Sequence, residues 1–348
     1  MSSRVALLTP FAYPSVRGNA ITVERIAAGL RARGADVRVW DLAVTAPAAV
    51  ETEIARFRPA IVHAFHAYRT GPLALRLARR AEIPLVVTLT GTDANHELFD
   101  PEHAALVRRV LEGAAAITVF HDSIAARVAA ALPDLRSRLR EIPQAIGLDR
   151  TQQFDLEARW PDAAGRMLAV FPGGIRPVKR PRQPLGPCSR LAGRYPDLRL
   201  LYAGPIIDAE EGEALLRAID GLGWARHLGA VLHAQMASLL ERASVVLNCS
   251  ESEGGMANSV LEALSLGRAV LASDIEGNHS LVQDGVTGLL FRDDMEFEAK
   301  AERLIRDPDL RRRLGAAGRA LVEERYPPQR EIDGYLDVYR GLVPVPAR

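Results

Sequence analysis

Cysteine is nearly missing from this chain. Only Cys188 and Cys249 occur, far apart and in no CxxC spacing. That argues against a disulfide framework and against a structural zinc site, and it fits a reducing, cytoplasmic compartment. Long hydrophobic runs are missing too. The apolar stretch Val5 to Leu8 meets Pro10 and Pro14, and Leu85 to Leu89 ends just as soon. Both are too short for a signal-peptide core or a membrane span. An excess of charge of either sign is also lacking. The 44 basic and 43 acidic residues are interspersed and leave a formal charge of +1, so no field able to hold nucleic acid through its phosphates is implied. No low-complexity block and no metal-ligand cluster stand out, so neither a disordered region outside the tail nor a bound metal is expected.

What is present is an ordinary globular composition, 48% hydrophobic and 25% charged over 348 residues, long enough for two α/β domains of roughly 150 residues or more each. Short β-rich runs alternate with amphipathic stretches, the pattern of parallel sheets covered by helices on both faces. The first half predicts strands at 5–9, 36–40, 61–64, 85–88, 116–119 and 140–142, with a first helix from about Ile21 to Arg33. Around residues 149–166 the chain turns polar and irregular, and Met167 to Phe171 begins the alternation afresh, with further strands at 198–203, 230–232, 245–248, 269–273 and 288–291. The expected domains are therefore 1–160 and 161–326. The remainder, 327–348, carries Tyr335, Leu336, Val338 and Tyr339 at helical spacing and is expected to cross back onto the first domain. Arg76, Arg79 and Arg80 read as a solvated helix face, with a membrane-surface contact as the alternative.

The sharpest local signal is Ser250-Glu251-Ser252-Glu253-Gly254-Gly255-Met256-Ala257-Asn258, a strand-to-helix turn continuing into Ser259-Val260-Leu261-Glu262. Glycines there let backbone amides approach an anion, and a helix N-terminus adds a favourable dipole; a surface turn with a capping carboxylate is the bland alternative. A second turn, Gly173-Gly174-Ile175-Arg176-Pro177-Val178-Lys179, also follows a strand and sets two cations beside two glycines. Fixed cations suit a departing nucleoside diphosphate, on which negative charge builds as its bond to a sugar breaks. A solvated basic loop would carry the same residues.

These two motifs, followed by Ala269-Val270-Leu271-Ala272-Ser273-Asp274 and Asp284-Gly285-Val286-Thr287-Gly288, resemble the C-terminal domain of glycosyltransferase family 4 over roughly residues 167–342. The resemblance implies the GT-B fold, two Rossmann-like domains facing across a cleft, and a retaining transfer of a sugar from a nucleotide-sugar co-substrate with no essential metal or other cofactor. It implies that Arg176 and Lys179 meet the diphosphate, that Gly174, Gly254, Gly255, Met256, Ala257 and Asn258 line the donor, that Glu262 binds the ribose, and that Glu253 lies near the donor sugar. Eight residues separate Glu253 from Glu262, one more than the family's usual seven, and a second glycine in the turn is expected to absorb it.

The first half resembles the family more loosely. Arg17-Gly18-Asn19 occupies the loop after the first strand, where family members carry glycines close to donor and acceptor. His66, Tyr68 and Arg69, and Thr92 and Asp93, lie where the carboxyl ends of parallel strands present ligands. Gly18 and Asn19 are expected at the donor and Arg17, Tyr68, Arg69, Thr92 and Asp93 at the acceptor, with His66 catalytic and Arg17 and Arg69 able to hold a small anion. For His66 a merely satisfied loop histidine is the alternative, and for Asp93 a helix cap. The stretches GNAITVER, HAYRTG, LTGTD and EGGMANSVLEA are similar to two smaller branches of the family, vertebrate-type family-4 transferases and selenosugar synthases, the second of which would make selenophosphate an acceptor. Rival readings on the same fold are a nucleotide-sugar 2-epimerase, a phosphorylase, and a catalytically silent nucleotide-sugar-binding protein.

Overall fold

A computed structural model describes residues 4–15, 17–148 and 150–343 of the chain; the expected tail beyond 343 lies outside these. Among the described residues, twelve strands form two six-stranded sheets in which every ladder is parallel. The first sheet holds β1 (Arg4–Thr9), β2 (Asp36–Asp41), β3 (Ile61–Phe65), β4 (Leu85–Thr88), β5 (Ala116–Val119) and β6 (Leu139–Glu141) in the order β2-β1-β3-β4-β5-β6. The second holds β7 (Met167–Pro172), β8 (Leu198–Ala203), β9 (Ala225–His227), β10 (Val245–Asn248), β11 (Ala269–Ser273) and β12 (Leu289–Phe291) in the order β12-β11-β10-β7-β8-β9.

The strands read as unbroken apolar runs because both faces of each sheet are covered. In β1, Val5 and Leu7 join one core cluster while Ala6 and Leu8 join the other, as the two-residue period of a strand requires. One face of this sheet takes helices such as Gly71–Ala81, which buries Leu73, Ala74, Leu77 and Ala78 and starts with a proline in its first turn. Its arginines face out as expected, Arg76 reaching Glu51 at 3.3 Å. The other face takes helices Gly18–Ala32 and Pro328–Leu342, whose Ile332, Tyr335 and Tyr339 sit in the same cluster as Val5, Leu7, Ile61 and Phe65. The C-terminal helix thus returns to the first sheet. It is held there by Arg25, whose guanidinium donates two 2.8 Å bonds to Glu331, and by a buried polar chain in which His63 Nδ1 meets the Tyr339 hydroxyl at 2.6 Å and His63 Nε2 meets Thr88 Oγ1 at 2.7 Å.

Two expectations need correction. The chain divides into one compact unit up to Ala145 together with the segment from Tyr326, and a second unit over Ile146–Arg325, so the first boundary falls well before residue 160. The polar segment belongs to the second unit because Phe154 N–H donates to Ser238 Oγ, Arg159 donates to the Leu228 carbonyl, and Leu156 and Trp160 are buried. The strand expected at 230–232 is instead β9 at Ala225–His227. Its register sets Leu200 against Ala225 and Tyr202 against His227, and β8 ends at Ala203, which leaves little further strand for residues 230–232 to pair with.

Candidate functional site

In the second sheet the strand order reverses between β7 and β10. Ligands of open parallel sheets bind beyond the carboxyl ends of the strands at such a switch point. Register aligns Val170 with Val246, so β7 and β10 end side by side and their following loops, 173–179 and 249–257, are neighbours. Three contacts tie these loops together. Glu251 N–H donates to the Val178 carbonyl at 2.8 Å, Arg180 Nε donates to the Cys249 carbonyl at 2.9 Å, and Lys179 Nζ donates to Glu253 Oε1 at 2.5 Å. The expected cationic and glycine-rich motifs therefore form one cluster, with half-buried Arg176 leading the short turn Pro177–Lys179 and Gly174 packed against Ile207. Lys179 is one of two lysines in a chain otherwise supplied with arginine; its ammonium is a compact point charge.

Gly255, Met256 and Ala257 are buried, and helix Asn258–Ser265 starts directly after them, which gives the cluster a set of helix-terminal amides. Gly255, in the turn between the two glutamates, has a φ of 99°, which only glycine adopts without strain. The Gly255 carbonyl accepts from Ser280 Oγ at 2.8 Å. Gly277 approaches so closely that a Cβ there would lie 2.6 Å from the Glu253 Cβ.

Glu253 was expected against a donor sugar. Its Oε1 accepts from Lys179 Nζ, from Ser250 Oγ at 2.6 Å and from Asn248 Nδ2 at 3.0 Å. Burial pushes this carboxyl up, but the Lys179 charge and the three donors outweigh that and hold it below the ordinary carboxylate range. Glu253 is thus the counter-ion that sets Lys179. The clamp extends inward, since Asn248 Oδ1 accepts from buried Asn278 Nδ2 at 3.2 Å, and Asn278 also reaches the Ser273 carbonyl at 2.9 Å. Glu262, on helix Asn258–Ser265, is nearly buried and faces His233 Nε2 at 3.3 Å.

The first sheet has its own switch point between β1 and β3, and its candidate residues lie around it. Arg17 stacks its guanidinium over Phe11, 3.7 Å from the ring centre, and Gly18 and Asn19 begin helix Gly18–Ala32. His66 follows β3 with φ 89°, a backbone state costly for a residue with a side chain and one that clusters at functional sites. The Arg69 N–H donates to its Nδ1 at 3.3 Å, which puts the proton of a neutral ring on Nε2, 3.0 Å from Thr92 Oγ1. Glu97, which the sequence did not suggest, lies 3.9 Å from the same Nε2. Tyr68 packs on His103, ring centres 4.2 Å apart, while Arg69 is exposed.

Asp93 is fully buried, and both oxygens are used. Oδ2 accepts from Ala67 N–H at 2.8 Å, and Oδ1 accepts from Thr90 and Gly91 N–H at 2.9 Å each. It clamps the loops after β3 and β4 together and presents no free oxygen to an acceptor. Both cysteines are buried inside the second unit; burial raises the Cys188 thiol to about 12 and drives Cys249 higher still, so neither is a reactive thiolate.

Residues 167–307 match the family described as Glycosyl transferases group 1, and residues 40–143 match the Glycosyl transferase 4-like domain. The chain carries the domains of a glycosyltransferase. It is 29% identical over 336 residues to Glycosyltransferase 1 domain-containing protein 1 of Xenopus tropicalis, covering 93% of this chain and 94% of that one. It is 29% identical over 293 residues to the D-inositol 3-phosphate glycosyltransferase of Frankia alni, covering 75% and 69%. Among solved structures, sucrose-phosphate synthase of Thermosynechococcus elongatus superposes with a TM-score of 0.81 at 19% identity over 98% of this chain and 99% of that one. Anabaena HepE in complex with UDP and glucose superposes with a TM-score of 0.78 at 16% identity, covering 98% of this chain and 100% of that one. The fold of this chain is accordingly GT-B. Among its described residues no helix is long and apolar enough to cross a membrane.

Two residues beside the candidates escaped the sequence. His233 and Glu97 each follow an unremarkable local pattern, and only the tertiary structure brings the first residue of helix His233–Glu241 to Glu262, and Glu97 to His66.

Proposed function

We propose that this chain is a cytoplasmic, metal-independent, retaining glycosyltransferase that takes a sugar from a UDP-sugar to a small acceptor. The observation that carries the reading is the union of the loops after β7 and β10 at the switch point, with Arg176, Lys179 and the amides of residues 254–257 in one cluster. A diphosphate there meets fixed cations and dipoles, so charge developing on the leaving oxygen is stabilised without a metal. The complexes of HepE with UDP and with UDP-glucose support a uridine nucleotide. In the proposed step the bond from the sugar's anomeric carbon to the diphosphate oxygen breaks, the acceptor attacks the same face, and its proton passes to the departing phosphate. Glu262 takes the ribose hydroxyls. Arg17, His66, Tyr68, Arg69 and Thr92 serve the acceptor, with selenophosphate among the candidates that Arg17 and Arg69 suit.

The test is incubation with UDP-, GDP- and ADP-sugars and a panel of acceptors including selenophosphate and polyols, with and without EDTA, followed by mass spectrometry. Release of nucleoside diphosphate with a new conjugate of unchanged anomeric configuration is expected, insensitive to EDTA. Arg176→Ala and Lys179→Ala should each lower turnover by about 10²-fold or more, as loss of one transition-state donor does. Conversion without an acceptor, inversion, or near-normal turnover in either variant would refute the reading.

A further inference from the structure

Glu262 is buried apart from a small window, its side chain 10% exposed, and His233 beside it is 18% exposed. The two lie 29 residues apart and meet because helix His233–Glu241 starts next to the second turn of helix Asn258–Ser265. A carboxylate so far removed from water requires donors. The imidazole supplies one to Oε1 at 3.3 Å, and among the described residues Oε2 takes no hydrogen bond. The carboxylate is therefore fixed through one oxygen and open through the other, one helical turn past the amides of the 254–257 loop.

We infer that His233 is a specificity-determining positioning residue of the nucleoside site. It holds Oε1 so that Oε2 faces the 2′-hydroxyl of a bound nucleoside diphosphate, and the site thereby selects ribonucleotides over 2′-deoxyribonucleotides. A carboxylate free to rotate would spread its acceptor lone pairs over many directions, whereas a pinned one presents a hydroxyl acceptor already oriented, so the ordering cost is met before the ligand arrives. The inference rests on the proposed nucleotide-sugar reading of this site.

The experiment is calorimetric titration of wild type, His233→Ala, His233→Phe and His233→Gln with UDP, GDP and ADP, with their 2′-deoxy counterparts and with inorganic pyrophosphate. A hydrogen bond to a charged group corresponds to roughly tenfold or more in affinity. Wild type should prefer the ribo form by about that factor. His233→Ala and His233→Phe should reduce the preference to about threefold or less, while His233→Gln, which keeps an N–H donor, retains most of it. Pyrophosphate affinity should be unchanged in all four, a readout that a general loss of structure would move. An undiminished ribose preference in both His233→Ala and His233→Phe overturns the inference and leaves the transferase reading standing, as does a wild type that binds nucleoside diphosphates without ribose preference. Failure of wild type to bind any nucleoside diphosphate overturns both.

Discussion

His63 is expected to make the first unit acid-labile. Its ring is fully buried on β3, between the Tyr339 hydroxyl and Thr88 Oγ1, stacked on Phe65 at 4.4 Å between ring centres. Two hydroxyls can accept from a protonated ring, so hydrogen bonding alone does not forbid the charge. Burial does, lowering the imidazole from 6.5 to about 3. Because the folded value is depressed, the unfolded chain binds the proton first as pH falls, and stability is lost below about pH 6.5 at about 1.4 kcal/mol per pH unit. Between pH 7.5 and pH 5 the loss from this one residue is about 2 kcal/mol, and it would total about 5 kcal/mol once pH 3 is reached.

Urea titrations at pH 7.5 and 5.0 would compare the parent with His63→Gln, both carrying Trp160→Phe and Trp224→Phe so that Trp40 alone reports on the first unit. Other titrating groups, including Glu141, whose carboxyl burial pushes up, are common to both proteins and cancel. The parent should lose about 2 kcal/mol more than the variant across that interval. Equal losses, or an imidazole seen by NMR to titrate near its ordinary value, would refute the reasoning.

Two further perturbations probe the architecture. Gly277→Ala places a Cβ 2.6 Å from the Glu253 Cβ and 3.2 Å from its backbone, so the Lys179 counter-ion must move. Nucleotide-sugar turnover should fall at least about tenfold, with a stability loss of about 1–3 kcal/mol by overpacking, read by steady-state kinetics and denaturation; unchanged kinetics would sink the positioning role of Glu253. Glu331→Ala strands Arg25, whose side chain is 11% exposed against 1% for Glu331, and should destabilise the first unit by about 3–5 kcal/mol, while the paired change Arg25→Met with Glu331→Leu should recover most of it. A single variant as stable as the parent would remove the ion pair from the account of how the C-terminal helix is held.

Much of this protein is written locally. Strands such as Leu85–Thr88 and Ala116–Val119 are β-branched runs buried on both faces, so their positions followed from composition alone. The return of the C-terminal helix was legible in the spacing of Tyr335 and Tyr339, and the two anion-suited turns in their glycines and cations. What the sequence did not determine are the pairings. That Lys179 meets Glu253, that Asp93 turns both oxygens inward, that His233 reaches Glu262, and that β9 lies at 225–227 all depend on which strand lies beside which and in what register. Hydrophobic periodicity encodes which side of an element is buried, because burial acts on each residue through its own surface. A hydrogen-bond partner is a property of two distant segments brought within 3 Å, and only the assembled sheets and helices decide it.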